Sequence, residues 1–151
     1  MSVDASDRVT DVEIVRQLVV DRTAAMRRGD AETIASHYLP DAVVFSMAPP
    51  LAQRTGEAAD PAFLRAWMDE KGGRVWAELR QLQVTVDGDL ALSTSLESLG
   101  APPDASGQFT MWYRSTVVWR RIDDCWRIVH HHTSTPLHMD GSLRAATDLE
   151  P

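Results

Sequence analysis

The stretch Trp112 to Pro136 reads WYRSTVVWRRIDDCWRIVHHHTSTP, and its alternation decides the fold class. β-Branched and aromatic residues recur on both sides of Asp123-Asp124, which is the pattern of two long strands closed by a tight turn. The strands are predicted at 108–121 and 125–134. Two more precede them, at 74–86 and 90–99, joined at Asp87-Gly88, with a Pro- and Gly-rich loop over 100–107. Four long strands with short connections pair antiparallel.

The first half reads differently. Thr10 and Glu13 form a capping box, and Val12, Val15, Leu18, Val19 and Met26 follow at helical spacing until Gly29, predicting a helix over 11–28. Asp30 caps a short second helix whose inner face is Ile34, Ala35, Tyr38 and Leu39, with Pro40 ending it. Ala42 to Ala48 alternates as a strand, closed by Pro49-Pro50. Asp60-Pro61 starts a third helix that runs to Gly72-Gly73. Helices first and strands after is the α+β signature, here a curved antiparallel sheet wrapped around the N-terminal helices as a cone that leaves an internal cavity. The 151 residues form one predicted domain, with 1–9 and 138–151 as loose termini.

Composition narrows the functional classes. A formal charge of −7 without a basic stripe argues against nucleic acid or an anionic membrane as partner. A single cysteine, Cys125, excludes an internal disulfide and a multi-thiolate zinc site. No apolar run approaches a membrane span, and the first ten residues lack the apolar region of a signal peptide, so a cytoplasmic location is expected. P-loop, G-x-G-x-x-G and G-x-S-x-G motifs are absent, and no cofactor is expected. Of 15 basic residues only Lys71 is not arginine, a bias that suits a GC-rich bacterial genome.

Chemistry-bearing residues are few. Arg22 falls between Leu18, Val19 and Met26 on the helix face that should enter the core, and a buried guanidinium needs a partner. It either snorkels to the helix edge or points into the cavity. Period two places His130 and His132 on one strand face and His131 on the other. The H-x-H pair is also a zinc spacing, with His37, His138 or Glu97 as third ligand, but no third ligand is set by spacing and no metal is assigned. Acid–base work by a histidine is the functional reading, and hydrogen bonding to neighbouring strands the structural one. Arg114 and Thr116 alternate with Ser115 and Val117, and either set can face inward. Glu97, Trp112 and Tyr38 are further candidates for the cavity wall, and Trp67 lies on the apolar side of the third helix.

Together the segments GDAETIASHYLPDAVVFSMAPPL, the helix through Trp67 and the C-terminal hairpin resemble the nuclear-transport-factor-2-like superfamily, in its SnoaL-like branch. The most similar pattern is that of the SgcJ/EcaC-type group associated with enediyne polyketide biosynthesis, and the hairpin also resembles the hub domain of calcium/calmodulin-dependent kinase II. The resemblance implies a cystatin-like α+β barrel, a homodimer and a small hydrophobic or polyketide-derived ligand. It implies no single activity, since the fold carries isomerases, cyclases, dehydratases and non-catalytic hubs. The ketosteroid isomerases' catalytic positions fall on Ser46, near Arg22, and on Val117 or Val118, so their machinery is not retained. By the same comparison, His131 and Thr133 face the pocket. The reading is a pocket protein of bacterial secondary metabolism that isomerises, cyclises or dehydrates its ligand. His131 and Arg22 carry the chemistry, and Tyr38, Ser46, Trp67, Glu97, Trp112, Arg114, Thr116 and Thr133 contact the ligand. The alternatives are a non-catalytic binding accessory and an oligomeric assembly domain.

Overall fold

A computed structural model of the chain describes residues 5–101 and 110–151, with side chains from residue 10 onward. The elements run α1 (Ala5–Arg28), α2 (Ala31–Ser36), β1 (Tyr38–Phe45), a short 3-10 turn (Glu57–Ala59), α3 (Pro61–Asp69), β2 (Trp76–Asp87), β3 (Leu90–Gly100), β4 (Thr110–Ile122) and β5 (Cys125–Ser134). The expected loop at 100–107 and the first residues of the third meander strand fall largely outside the described residues.

The architecture is the α+β one, with N-terminal helices laid against a curved, unclosed five-stranded sheet. Its strand order is β1-β5-β4-β3-β2. The meander pairs antiparallel throughout, while β1 joins the sheet parallel to β5. Asp123 and Asp124 both adopt positive φ, 49° and 60°, as a two-residue hairpin turn with the strands' own twist requires. The core lies between α1 and the concave face, with Val15, Val19, Met68, Trp119 and Ile128 at its centre.

Two expectations about the first half need correction. Helix α1 is already running at Ala5, so Thr10 lies inside it rather than at its cap. No glycine or proline between 5 and 10 stops the helix from extending backwards. Tyr38 and Leu39 open β1 instead of closing α2. The His37 carbonyl accepts from the Ile128 amide at 2.7 Å, so pairing with β5 captures the chain one residue after α2. Pro40 is tolerated because β1 is an edge strand.

Gly29 stops α1 with a Schellman motif: its amide donates to the Met26 carbonyl at 3.2 Å and the Asp30 amide to Ala25 at 2.9 Å. Its φ is +70°, and a Cβ there would meet the Gly73 carbonyl oxygen at 2.2 Å. The chain entering β2 therefore passes directly over the end of α1.

At the other end of α1, Asp11 accepts two hydrogen bonds from Arg121, at 3.0 and 2.9 Å, and one from the Trp126 indole at 3.4 Å. This ties the helix to the closed ends of the hairpins. The C-terminal segment folds back on itself through a Leu137–Ala145 bridge and buries Ala146. No described helix is long and apolar enough to cross a membrane.

Candidate functional site

A β-bulge decides what β5 presents to the interior. Trp119 pairs with Ile128 but Val118 pairs with His130, so Val129 is the extra residue. Trp126 and Ile128 face inward; past the bulge the parity changes, and the inward residue is His131. His130 and His132 point to the outer face, where their rings flank Phe45 at 5.2 and 5.7 Å between centroids.

His131 is only 3 % exposed, yet both its nitrogens are engaged. Nδ1 lies 2.7 Å from the Tyr38 hydroxyl and Nε2 2.9 Å from Ser115 Oγ. The Tyr38 oxygen also accepts from Arg22 Nη2 at 2.9 Å. A guanidinium can only donate, so the phenol's own proton goes to Nδ1, and Nε2–H donates to Ser115. Burial first, then Arg22, His130 and His132, push the His131 pKa well below the usual imidazole range. The ring therefore stays neutral.

A second branch leaves Arg22. Its Nη1 stands 3.8 Å from Glu97 Oε2. Tyr113 donates to that same oxygen at 2.9 Å, and Ser95 to Oε1 at 2.9 Å. Burial opposes the Arg22 charge, but Tyr38, Glu97 and Tyr113 outweigh it and raise its pKa above the ordinary value. Burial and, secondly, Glu97 push the Tyr113 phenol well up. Burial likewise raises Tyr38, with Arg22 opposing. Arg22 Nε and His37 Nδ1 are buried without a hydrogen-bond partner among the described residues. Burial, then Arg22, lowers the His37 pKa as well, so this imidazole too is held neutral.

The structure thus gathers four of the sequence-predicted residues, Arg22, Tyr38, Glu97 and His131, into one network. It adds Ser95, Tyr113 and Ser115, which sequence reasoning missed. For Tyr113 and Ser115 the signal was the contrast between the two faces of β4: Tyr113, Ser115, Val117 and Trp119 on one, Arg114, Thr116, Val118 and Arg120 on the other. The set with two arginines is the outer one.

The other predicted ligand contacts are dispersed. Arg114 and Thr116 are exposed on the outer face, where with Gln81, Gln83, Thr94 and Leu96 they line a depression of about 260 Å³ that reaches Ser95 and Ser115 of the network but neither Arg22 nor His131. Trp112 is on that face too, with the Arg80 guanidinium 5.6 Å from its ring centroid. Ser46 is exposed and bonds to the Ala48 carbonyl. Trp67 packs against the core from α3. Thr133 is half-buried beside Ser115, its register partner. Among the described residues no three His, Cys, Asp or Glu side chains come together as metal ligands.

With the geometry in place, comparison with known proteins is informative. The family model for the SnoaL-like domain matches residues 15–138. An NTF2-like protein of unknown function from Pseudomonas putida KT2440 is 32% identical over 95% of this chain and 98% of its own, with a TM-score of 0.83. An NTF2-like protein from Streptomyces avermitilis, described as a candidate dehydratase, is 25% identical over 85% of this chain and 97% of its own, at a TM-score of 0.71. An NTF2-like protein with a cystatin-like fold from Novosphingobium aromaticivorans covers 97% of this chain and 94% of its own at 20% identity, with a TM-score of 0.66, and shows the fold alone. Comparison with curated proteins finds no match.

Proposed function

The chain belongs to the SnoaL-like domain family, and on that premise we propose that it binds a small, mostly apolar carbonyl compound of polyketide type against the concave face and moves a proton on it. The observation that carries this reading is the buried chain Arg22–Tyr38–His131–Ser115, which sets a neutral imidazole behind a phenol that is itself held by a cation. Arg22, whose side chain keeps 14% of its surface accessible, is the edge from which a ligand reaches the network.

The chemistry is proton abstraction beside a carbonyl. The Tyr38 oxygen takes the proton from the ligand carbon as its own proton passes to His131 Nδ1; the C–H electron pair becomes the C=C bond and the carbonyl π pair moves onto oxygen. The imidazolium that burial disfavours at rest forms only for the lifetime of the enolate, whose negative charge balances it. Arg22 Nε–H, unused by the network, donates to that oxygen and stabilises the enolate. Return of the proton to another carbon completes an isomerisation. Its delivery to a β-hydroxyl releases water and completes a dehydration, the reaction class named for the Streptomyces avermitilis relative.

Incubation with 4-hydroxy-4-phenylbutan-2-one in D2O tests the proposal, with α-deuteration followed by NMR and enone formation by absorbance. Tyr38→Phe and His131→Ala should each lose both signals. Unchanged rates in both variants, or no exchange with the wild-type protein, would overturn the catalytic reading. The homodimer implied by the resemblance is proposed with it, since Val43 and Leu92 leave apolar surface on the outer sheet face, 51% and 43% exposed. Light scattering that returns a monomer mass would remove that part.

A further inference from the structure

The network contains one feature that proton transfer does not use: a second charge. Glu97 is 6% exposed and has no role in the Tyr38–His131 relay, yet both its oxygens are hydrogen-bonded. Both carboxylate oxygens are acceptors, from Ser95 Oγ and from Tyr113 O–H, each at 2.9 Å. That is the bonding of an ionised carboxyl. It faces Arg22 at 3.8 Å, close enough to cancel the charge and too far to occupy the guanidinium with a direct hydrogen bond.

We propose that Glu97 is the residue that sets the charge of the ligand: it neutralises Arg22 in place, so that the interior accepts an uncharged carbonyl compound and rejects a carboxylate. This rests on the small-ligand reading of the same site.

The charge balance argues it. The titratable groups of the cluster are Arg22, Glu97, Tyr38, Tyr113, His131 and His37. Both tyrosines are held protonated, and both histidines neutral, by burial. Arg22 and Glu97 remain, and they sum to zero. A neutral ligand leaves that balance intact and still finds the unpaired Nε–H of Arg22 as donor. An anionic ligand would bring an uncompensated negative charge into a desolvated site beside a carboxylate that Ser95 and Tyr113 fix in position, and like charges so placed repel strongly. Arg22 is thus a hydrogen-bond donor for an oxygen that becomes negative only during reaction. Without Glu97 it would be an anion receptor.

The test compares an isosteric pair, 4-phenylbutan-2-one and 3-phenylpropanoate, by ligand-observed NMR competition at neutral pH. In the wild-type protein the ketone should bind at least about tenfold more tightly, which corresponds to about 1.4 kcal/mol. Glu97→Gln keeps the size and an acceptor oxygen for Tyr113; it should strengthen carboxylate binding by about tenfold while changing ketone binding by less than about threefold. A carboxylate that binds the wild-type protein as tightly as the ketone overturns the proposal. So does a ketone-to-carboxylate ratio that Glu97→Gln leaves unmoved. The wild-type ratio needs no variant and decides alone if Glu97→Gln fails to fold. Absence of binding by either compound to the wild-type protein is the distinct result that removes the small-ligand reading itself.

Discussion

The phenol oxygen of Tyr38 and the Nδ1 atom of His131 lie 2.7 Å apart, although 93 positions separate them in the chain. They sit on adjacent parallel strands, and Arg22 approaches the same oxygen from α1. Truncating the hydroxyl therefore strands two buried groups at once. Tyr38→Phe should cost about 2–4 kcal/mol of unfolding free energy, measured by urea denaturation, because each stranded group loses its hydrogen bond in a buried site. A loss below about 0.5 kcal/mol would show that water replaces the phenol at no penalty.

The buried imidazoles make stability fall in mild acid. For both His131 and His37 burial lowers the folded pKa below the ordinary 6.5. Above that pH both folded and unfolded chains carry neutral rings and nothing changes. Below it the unfolded chain binds protons that the folded one refuses, so stability declines as pH falls towards the folded values, by up to about 1.4 kcal/mol per pH unit for each ring. Thermal melts between pH 7.5 and pH 5 should show this decline, and His131→Gln should flatten it. Equal pH dependence in the wild type and the variant would mean that His131 titrates freely.

Gly29→Ala is expected to destabilise by about 2 kcal/mol or more, since the residue's positive φ and the Gly73 backbone oxygen both oppose a Cβ. Differential scanning calorimetry reads the effect. A melting temperature equal to that of the wild type would show that the β2 entry moves aside without cost.

The two faces of β4 should respond oppositely. Ser115→Ala removes the Nε2 partner of His131 and should cost about 1–3 kcal/mol. Thr116→Val, one residue along on the exposed face, should stay within about 0.5 kcal/mol. Arg114→Ala should leave ligand deuteration unchanged, because the exposed Arg114 side chain lies on the face of β4 opposite to Ser115 and the depression it lines includes neither Arg22 nor His131. Loss of turnover in Arg114→Ala would connect the outer face to the chemistry.

The meander was readable from the chain because alternation over ten or more residues has few rival explanations, and Asp123-Asp124 and Gly88 mark the turns chemically. Arg22 announced itself as a cation among apolar helix positions, and His131 through the resemblance. Three things stayed hidden for physical reasons. Tyr38 leaves α2 only because β5, 90 residues downstream in register with it, offers backbone partners. A bulge at Val129 is a property of the paired strands, not of either sequence. Exposed arginines on β4 mark the outer face once a sheet exists, whereas a reader seeking ligand contacts is drawn to the same side chains.

The bulge also gives meaning to the run of three histidines. Were β5 to pair without its extra residue, the strand would turn inside out beyond Ile128, and His130 in place of His131 would enter the interior opposite Val117. The neighbouring substitution is like for like. An error of one step in the alignment of two strands, which ordinarily exchanges a core residue for a surface one, here exchanges imidazole for imidazole. The position is encoded with redundancy, so the folding chain need not find the right register at once to carry a base to the right depth.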